Sequence, residues 1–209
     1  MRSTRADDQT TRARIRDAAI ATFGRDGFAA GVRAVATAAD VSPGLVNHHF
    51  GSKDGLRQAC DDHVLGVIHD SKSAAMSGSP AGIIGQLMEI DGYAPYVAYV
   101  VRSFGAGGEL AHRMFESMVD DAVAYLEDGV ASSRVKPSRD ARARARFLVR
   151  QNVGGMLLHI QMAPAGTDFT TALRELADEI TLPALELYTE GFFTSDETLV
   201  AYLEHREKT

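Results

Sequence analysis

The stretch Asp40-Val41-Ser42-Pro43 constrains this chain more than any other. Upstream of it, Val32, Val35 and Ala36 recur at i, i+3 and i+4, the period of a helix that buries one face. Asp40 tolerates the left-handed backbone of a sharp corner and Ser42 is a good N-cap. Pro43 suits the first position of a new helix, where a missing N–H costs nothing. That helix is short and runs to about His49, with Val46 and Phe50 turned inward and Asn47 and His48 outward. Ser52 opens a third helix as another N-cap, and Lys53 falls in its first turn. A cation there opposes the helix dipole, so an anion outside the chain would account for it.

Two helices meeting steeply, the second short and carrying hydrogen-bonding side chains outward, fit the major groove of DNA. Spacing alone leaves an ordinary corner in an all-α protein equally open. The residues themselves say more. The run VRAVATAADVSPGLVNHHFGSKDGL resembles the N-terminal DNA-binding domain of the TetR family of transcriptional regulators, in register through His48-His49-Phe50 and the following GSKDGL. The resemblance covers about Thr11 to Cys60 without gaps; beyond that only length and helical character are similar.

What the resemblance implies is a homodimeric, ligand-responsive repressor, read here as binding a near-palindromic double-stranded DNA operator and released by a small apolar or aromatic effector. A DNA-binding regulator without an inducer, and a helical small-molecule carrier or enzyme, are the alternatives. It places Arg33, Ser42, Pro43, Gly44, Leu45, Asn47 and His48 at bases or adjacent phosphates, and Lys53 on the DNA backbone. Three positions depart from the family pattern. Ala30-Gly31 stands where Thr or Ser usually opens the first helix of the pair, Asp40 stands at a corner often held by Gly, and Asn47 replaces a frequent Tyr. The last change puts a phosphate contact in doubt and suits a base-reading amide instead.

The net charge of −6 argues against a nucleic-acid binder until its distribution is read. Through Cys60 the chain carries nine basic and six acidic side chains, a balance of +3, which leaves −9 for the remainder. A basic head on an acidic body turns one face toward phosphates. The lone Cys60 excludes an internal disulfide and suits a reducing cytoplasm as a small buried hydrophobe. No apolar leader follows the first basic residues, and the longest uncharged run, Gln151 to Thr167, is too polar to span a membrane. A cytoplasmic protein with no membrane partner is expected.

The helical period continues throughout, with no strand pattern or repeat, so the fold class is all-α: a DNA-binding head at about 1–50 and a ligand-binding and dimerisation body at 51–209. Residues 1–9 read as a loose arm, with Arg2 and Arg5 free to follow a groove; Thr10 or Thr11 caps the first helix, leaving Arg12 near its positive end to meet an external anion. A helix over 52–75, with Leu56, Cys60 and Val64 inward, links head to body, and Ser77-Gly78-Ser79-Pro80 reads as a loop. Short helices follow over Pro80–Ile90 and Pro95–Phe104, separated by Asp91-Gly92, and Gly105 to Gly108 is a break. Longer ones span about Glu109–Ser132, Arg139–Met162 and Phe169–Glu190, with Ser195 capping a last helix to Arg206.

Catalysis finds little support. Glu109, His112 and Glu116 share one helix face, but a di-iron bundle needs its Glu-x-x-His twice, and no nucleophile or phosphate-loop motif is present. No cofactor or metal is expected. An apolar pocket has better candidates in Tyr96, Phe104, Met114, Phe115, Met118 and Met156, with Asn152 and His159 as orienting polar groups. Each of these side chains is also compatible with ordinary core. Leu148, Asn152, Leu173, Leu176 and Ile180 mark the last two long helices as a dimer interface, a four-helix bundle about a twofold axis. Gly154-Gly155 would admit a close partner helix, and Arg142, Arg146 and Arg150 form either a solvated stripe or pairs with Glu175, Asp178 or Glu179.

Overall fold

The computed structural model describes residues 2–78 and 90–208, and among these every regular element is α-helical. The head comprises α1 (Arg2–Asp26), α2 (Val32–Ala38) and α3 (Pro43–Phe50). The long α4 (Lys53–Ser77) leads into the body, formed by α5 (Ile90–Ala106), α6 (Gly108–Ala131), α7 (Ala141–Met162), α8 (Phe169–Glu190) and α9 (Glu197–Glu207). Side-chain caps set several starts: Ser52 accepts from Gly55 N, Asp140 from Ala143 N and Asp168 from Thr171 N. The break between α5 and α6 falls at Gly107 and Gly108, whose φ of 65° and 67° only glycine adopts without strain.

Several boundaries differ from expectation. α1 begins at Arg2, so the residues read as an arm continue the helix, and Arg12 lies in mid-helix, away from the positive end. Its guanidinium stands 4.9 Å over the Phe50 ring, which gives this cation an internal partner. Asp91-Gly92 does not interrupt the chain: α5 runs through both and contains Pro95. Asp196, not Ser195, precedes α9, and it makes no side-chain cap. All but the last residue, Ile90, of the helix expected over Pro80–Ile90, and the end of the loop before it, lie outside the described residues.

A single buried cluster joins head to body. Ile15, Ile20 and Phe23 of α1, Val35 of α2, Val46 of α3 and Leu56, Cys60 and Val64 of α4 meet Tyr99 and Val100 of α5 and Met114 of α6. A second cluster unites Val119, Ala122 and Leu126 of α6 with Ala145, Val149 and Val153 of α7. Cys60 is the buried small hydrophobe its setting requires, its thiol pushed up to about 12 chiefly by burial. Arg142 and Arg146 form neither of the arrangements expected of them. Both pair with Glu116 of α6, Arg146 through two bonds of 2.6 and 2.7 Å, and Arg142 also meets Asp120.

The residues expected at a dimer interface differ in their exposure within the protomer. Leu173 and Leu176 are only 6% and 8% exposed, so they pack within their own protomer, and Leu148 is half-buried against the second cluster. Ile180 is exposed, as is Asn152, whose side-chain amide donates to Leu148 O at 2.8 Å. α7 has two apolar faces. Ala145, Val149 and Val153 are buried on one; Phe147, Leu158 and Met162 remain 63%, 58% and 74% exposed on the other. Gly154 and Gly155 lie on the open side, where an added Cβ would meet nothing within 4 Å, so nothing in the protomer requires glycine there.

At the joint of head and body the Tyr99 hydroxyl, on a side chain with no exposure, donates to Asp61 Oδ1 at 2.5 Å. Burial pushes the Asp61 carboxyl above its usual range, against the opposing pull of this hydrogen bond. Removing the donor with Tyr99→Phe strands a half-buried carboxylate and should cost about 1–3 kcal/mol in a urea melt at pH 7. Because the native pKa of Asp61 is raised, the folded state holds its proton to higher pH than the unfolded chain does. Its contribution to stability therefore falls as pH rises from about 3.8 through the raised native value. Asp61→Asn should flatten that segment of the stability–pH curve, and an unaltered curve would refute the assignment.

Candidate nucleic-acid interface

The corner between α2 and α3 is built by its own backbone. Asp40 has φ of 52°, Val41 N donates to Ala36 O at 3.0 Å, and Asp40 N donates to Thr37 O at 3.2 Å. Those two bonds satisfy carbonyls that the end of a helix leaves open, in the arrangement of a Schellman motif. Ser42 then accepts from Leu45 N at 3.2 Å and Pro43 takes the first helical position. Helix α3 stands on the head through Val46, which is 1% exposed, with Leu45 and Phe50 half-buried beside it. One buried residue on one side leaves the other side free: Pro43, Gly44, Asn47 and His48 are all exposed.

The expected contact residues fall into three groups. Asn47 and His48 project from α3, and Arg33 projects from α2. Ser42 spends its hydroxyl on the helix cap, Leu45 is partly built into the core, and Gly44 and Pro43 form the exposed first turn. Lys53 differs from expectation: its ammonium donates to Phe28 O at 2.7 Å, so the cation at the start of α4 has a partner inside the chain. An ammonium has three donors, which leaves two for a phosphate.

Contacts unmarked by any local motif hold this surface in place. His49, whose side chain is 4% exposed, lies 3.8 Å from Asp8 Oδ1 and ties α3 to the first helix. The Arg57 guanidinium covers the Phe28 ring at 3.4 Å, and Phe28 stacks edge-on to Tyr99 with centroids 5.3 Å apart. Arg102 of α5 donates to Gly24 O and Arg25 O, both at 3.1 Å, at the carbonyl end of α1. These pairings reach across as many as 78 residues of sequence, so no spacing rule could have found them.

None of the eight residues expected to bind an effector lines the cleft formed by the end of α1, α5 and the α7–α8 turn, and several of them pack as core. Met114 is 4% exposed, and Tyr96, Phe104, Met118 and Met156 pack against the shared core. Phe115 lies beneath Arg146 and Arg150. His159 stands 3.6 Å from Glu179, and its Nε2 is buried without a hydrogen-bond partner among the described residues. No group of three or more His, Cys, Asp or Glu side chains among the described residues is arranged to hold a metal. No described helix is long and apolar enough to cross a membrane.

Residues 15–60 match the family model for bacterial regulatory proteins of the tetR family, and residues 91–194 match the tetracyclin repressor-like C-terminal domain. Over 205 residues the chain is 51% identical to the HTH-type transcriptional regulatory protein RaaS of Mycobacterium tuberculosis, covering 98% of this chain and 97% of that protein. The chain belongs to the TetR family. Solved structures share its fold at low identity. Salmonella enterica GusR is 21% identical with a TM-score of 0.53, covering 86% of this chain and 95% of that one. FadR of Bacillus subtilis, solved in complex with stearoyl-CoA, is 16% identical with a TM-score of 0.57, covering 87% and 99%. The protein is therefore a TetR-family transcriptional regulator with a helix-turn-helix at α2–α3.

Two substitutions separate cap from corner. Ser42→Ala should lower stability by about 1 kcal/mol through the lost N-cap. Asp40→Gly should raise it by a few tenths to about 1 kcal/mol by relieving the left-handed conformation. Chemical denaturation of both variants checks the pair, and a loss from Asp40→Gly would show that the Asp side chain stabilises the corner.

Proposed function

We propose that this regulator is a homodimeric repressor that binds a near-palindromic operator through α3 and leaves it when a small amphipathic ligand occupies its body. The observation that carries the DNA half is the exposed set Asn47, His48 and the Pro43-Gly44 turn, standing on the single buried Val46. In the first turn of α3 Pro43 has no N–H and Leu45 N is spent on the Ser42 cap, so the turn offers a phosphate the Gly44 N–H, and Asn47 offers an amide able to grip adenine at two points. Arg33 and the spare donors of Lys53 flank it as phosphate contacts.

Dimerisation is supported by the exposed apolar side chains along α7 and α8. Phe147, Leu158 and Met162 surround the unexplained Gly154-Gly155 pair, and Ile180, Leu187 and Tyr188 remain open on α8. Apolar surface on this scale marks an interaction site. Two helices from each subunit would form a four-helix bundle and set the recognition helices about 34 Å apart.

A gel shift against DNA upstream of the protein's own gene, titrated with salt, tests the reading: specific binding survives competitor DNA, whereas a sequence-blind protein does not discriminate. Asn47→Ala should relax preference at one base pair and cost about 1–3 kcal/mol there. Arg33→Ala should weaken all sequences alike and lower the salt slope by about one unit. Equal, sequence-blind effects from both would overturn the division of roles.

Leu158→Glu combined with Leu187→Glu should give monomers in light scattering and abolish operator binding while leaving the helical circular dichroism intact. A double variant that still sediments as a dimer would place the interface elsewhere.

A further inference from the structure

An open cleft lies at the seam between head and body. It is a cleft of about 810 Å³ between the end of α1, one face of α5 and the α7–α8 turn. That volume lies in the range of small-molecule sites, about 300–1,000 Å³. None of the side chains expected to bind an effector lines it. Part of its wall is small and apolar, with Ala98 and Val101 from α5, Ile160 and Ala163 from α7 and the turn, and Phe169 from the start of α8, while Thr167 and Thr170 add hydroxyls. Gly24 of α1 also lines it, and α1 and α5 approach closely there. A Cβ on Gly24 would stand 3.1 Å from Ala98 Cβ and 3.2 Å from the Tyr99 backbone nitrogen.

The charges around the cleft are unequally matched. Asp91 is bound by Arg174, Asp168 caps α8, and Arg25 holds Asp26. Arg102 is different. Its Nε and one terminal nitrogen are fixed on the last carbonyls of α1, and among the described residues no carboxylate lies within ion-pair distance of it. Asp26 feels its field but spends its hydrogen bonds on Arg25. The rim therefore holds one immobilised cation without a carboxylate partner above an apolar floor.

We propose that this seam cleft binds an amphipathic monoanion, its carboxylate or similar anionic head on Arg102 and its apolar body against Ala98, Ile160 and Phe169. This assigns an effector site to the ligand-release reading above and rests on it for its regulatory meaning. An occupant touches α1 of the head and α5, α7 and α8 of the body at once. Any preference it has for one spacing of those helices shifts the recognition helix, and tight binding without such a preference shifts nothing. A differential of about 1–3 kcal/mol changes operator affinity about 5- to 150-fold.

Three probes of one chain length separate head-group chemistry from greasiness: sodium decanoate, decanol and decyltrimethylammonium, each titrated into the full chain below its micelle concentration. Calorimetry gives affinity, and the Ile160 methyl signal in carbon-13 NMR gives location. Decanoate should saturate, move the Ile160 signal and bind about tenfold or more tightly than the cationic probe. Arg102→Met should remove the preference for the anion while leaving decanol unchanged. Ala163→Trp and, separately, Thr167→Trp should block all three by filling the cleft from its exposed turn, with circular dichroism melts confirming a folded protein. Equal binding of the three probes, or decanoate binding untouched by both tryptophans, overturns the proposal. Occupancy of the cleft without any change in a gel shift leaves the site standing and overturns ligand release. Intact operator binding without decanoate binding overturns the site alone.

Discussion

The Tyr99 hydroxyl, held 2.5 Å from Asp61 in the interior, is the contact on which the relation of head to body depends. Buried polar groups stay buried only when each finds a partner, and here two groups from different helices satisfy each other. The arrangement extends outward from them. Tyr99 packs on Phe23 and Phe28, Arg57 covers Phe28, and Lys53 binds the Phe28 carbonyl. The first turns of α4 are thereby fastened to the loop beneath α2, while Arg102 fastens α5 to the end of α1. A displacement of α5 therefore reaches the head by two routes, one through Tyr99 and one through Arg102.

The members of this joint are packed and hydrogen-bonded on both sides. This packing explains why the head has no separate core. The head's buried side chains, Ile15, Ala19, Ile20, Phe23, Val35, Ala36, Ala39 and Val46, form one cluster with Leu56, Cys60, Val64, Tyr99, Val100 and Met114 from the body side. The helix-turn-helix is consequently held by residues whose other neighbours belong to the regulatory half.

At the far end the same economy is missing. α7 buries Ala145, Val149 and Val153 against α6 and leaves Phe147, Leu158 and Met162 in the open beside two adjacent glycines. Glycine weakens a helix by about 1 kcal/mol relative to alanine, and no contact inside the protomer offsets two in succession. Phe192 and Phe193, between α8 and α9, are also 80% and 68% exposed. A surface with this much apolar area supports the assignment of α7 and α8 to a subunit interface.

The corner at Asp40, the cap at Ser42 and the outward set Asn47 and His48 were legible in the sequence, because each depends on neighbours within a few residues: a left-handed residue, a hydroxyl one turn from an N–H, a helical period. The all-α class and the approximate bounds of α4, α6, α7 and α8 were legible for the same reason, whereas the start of α1 and the unbroken run of α5 through Asp91-Gly92 were not. The partners of Lys53, Arg12, Arg142 and Arg146 were not, since each lies on another helix and charge spacing along one helix does not name the carboxylate, carbonyl or ring across from it. Periodicity marked Leu173 and Leu176 as apolar-face residues correctly but could not say whether their own protomer or a second one covers that face. It likewise gathered Tyr96, Phe104, Met114 and Met118 as inward-facing without telling filled core from cavity, because cavity volume is a property of how helices cross. Local chemistry thus determined the reading helix and the helical class; the tertiary packing alone decided where space and uncompensated charge remain.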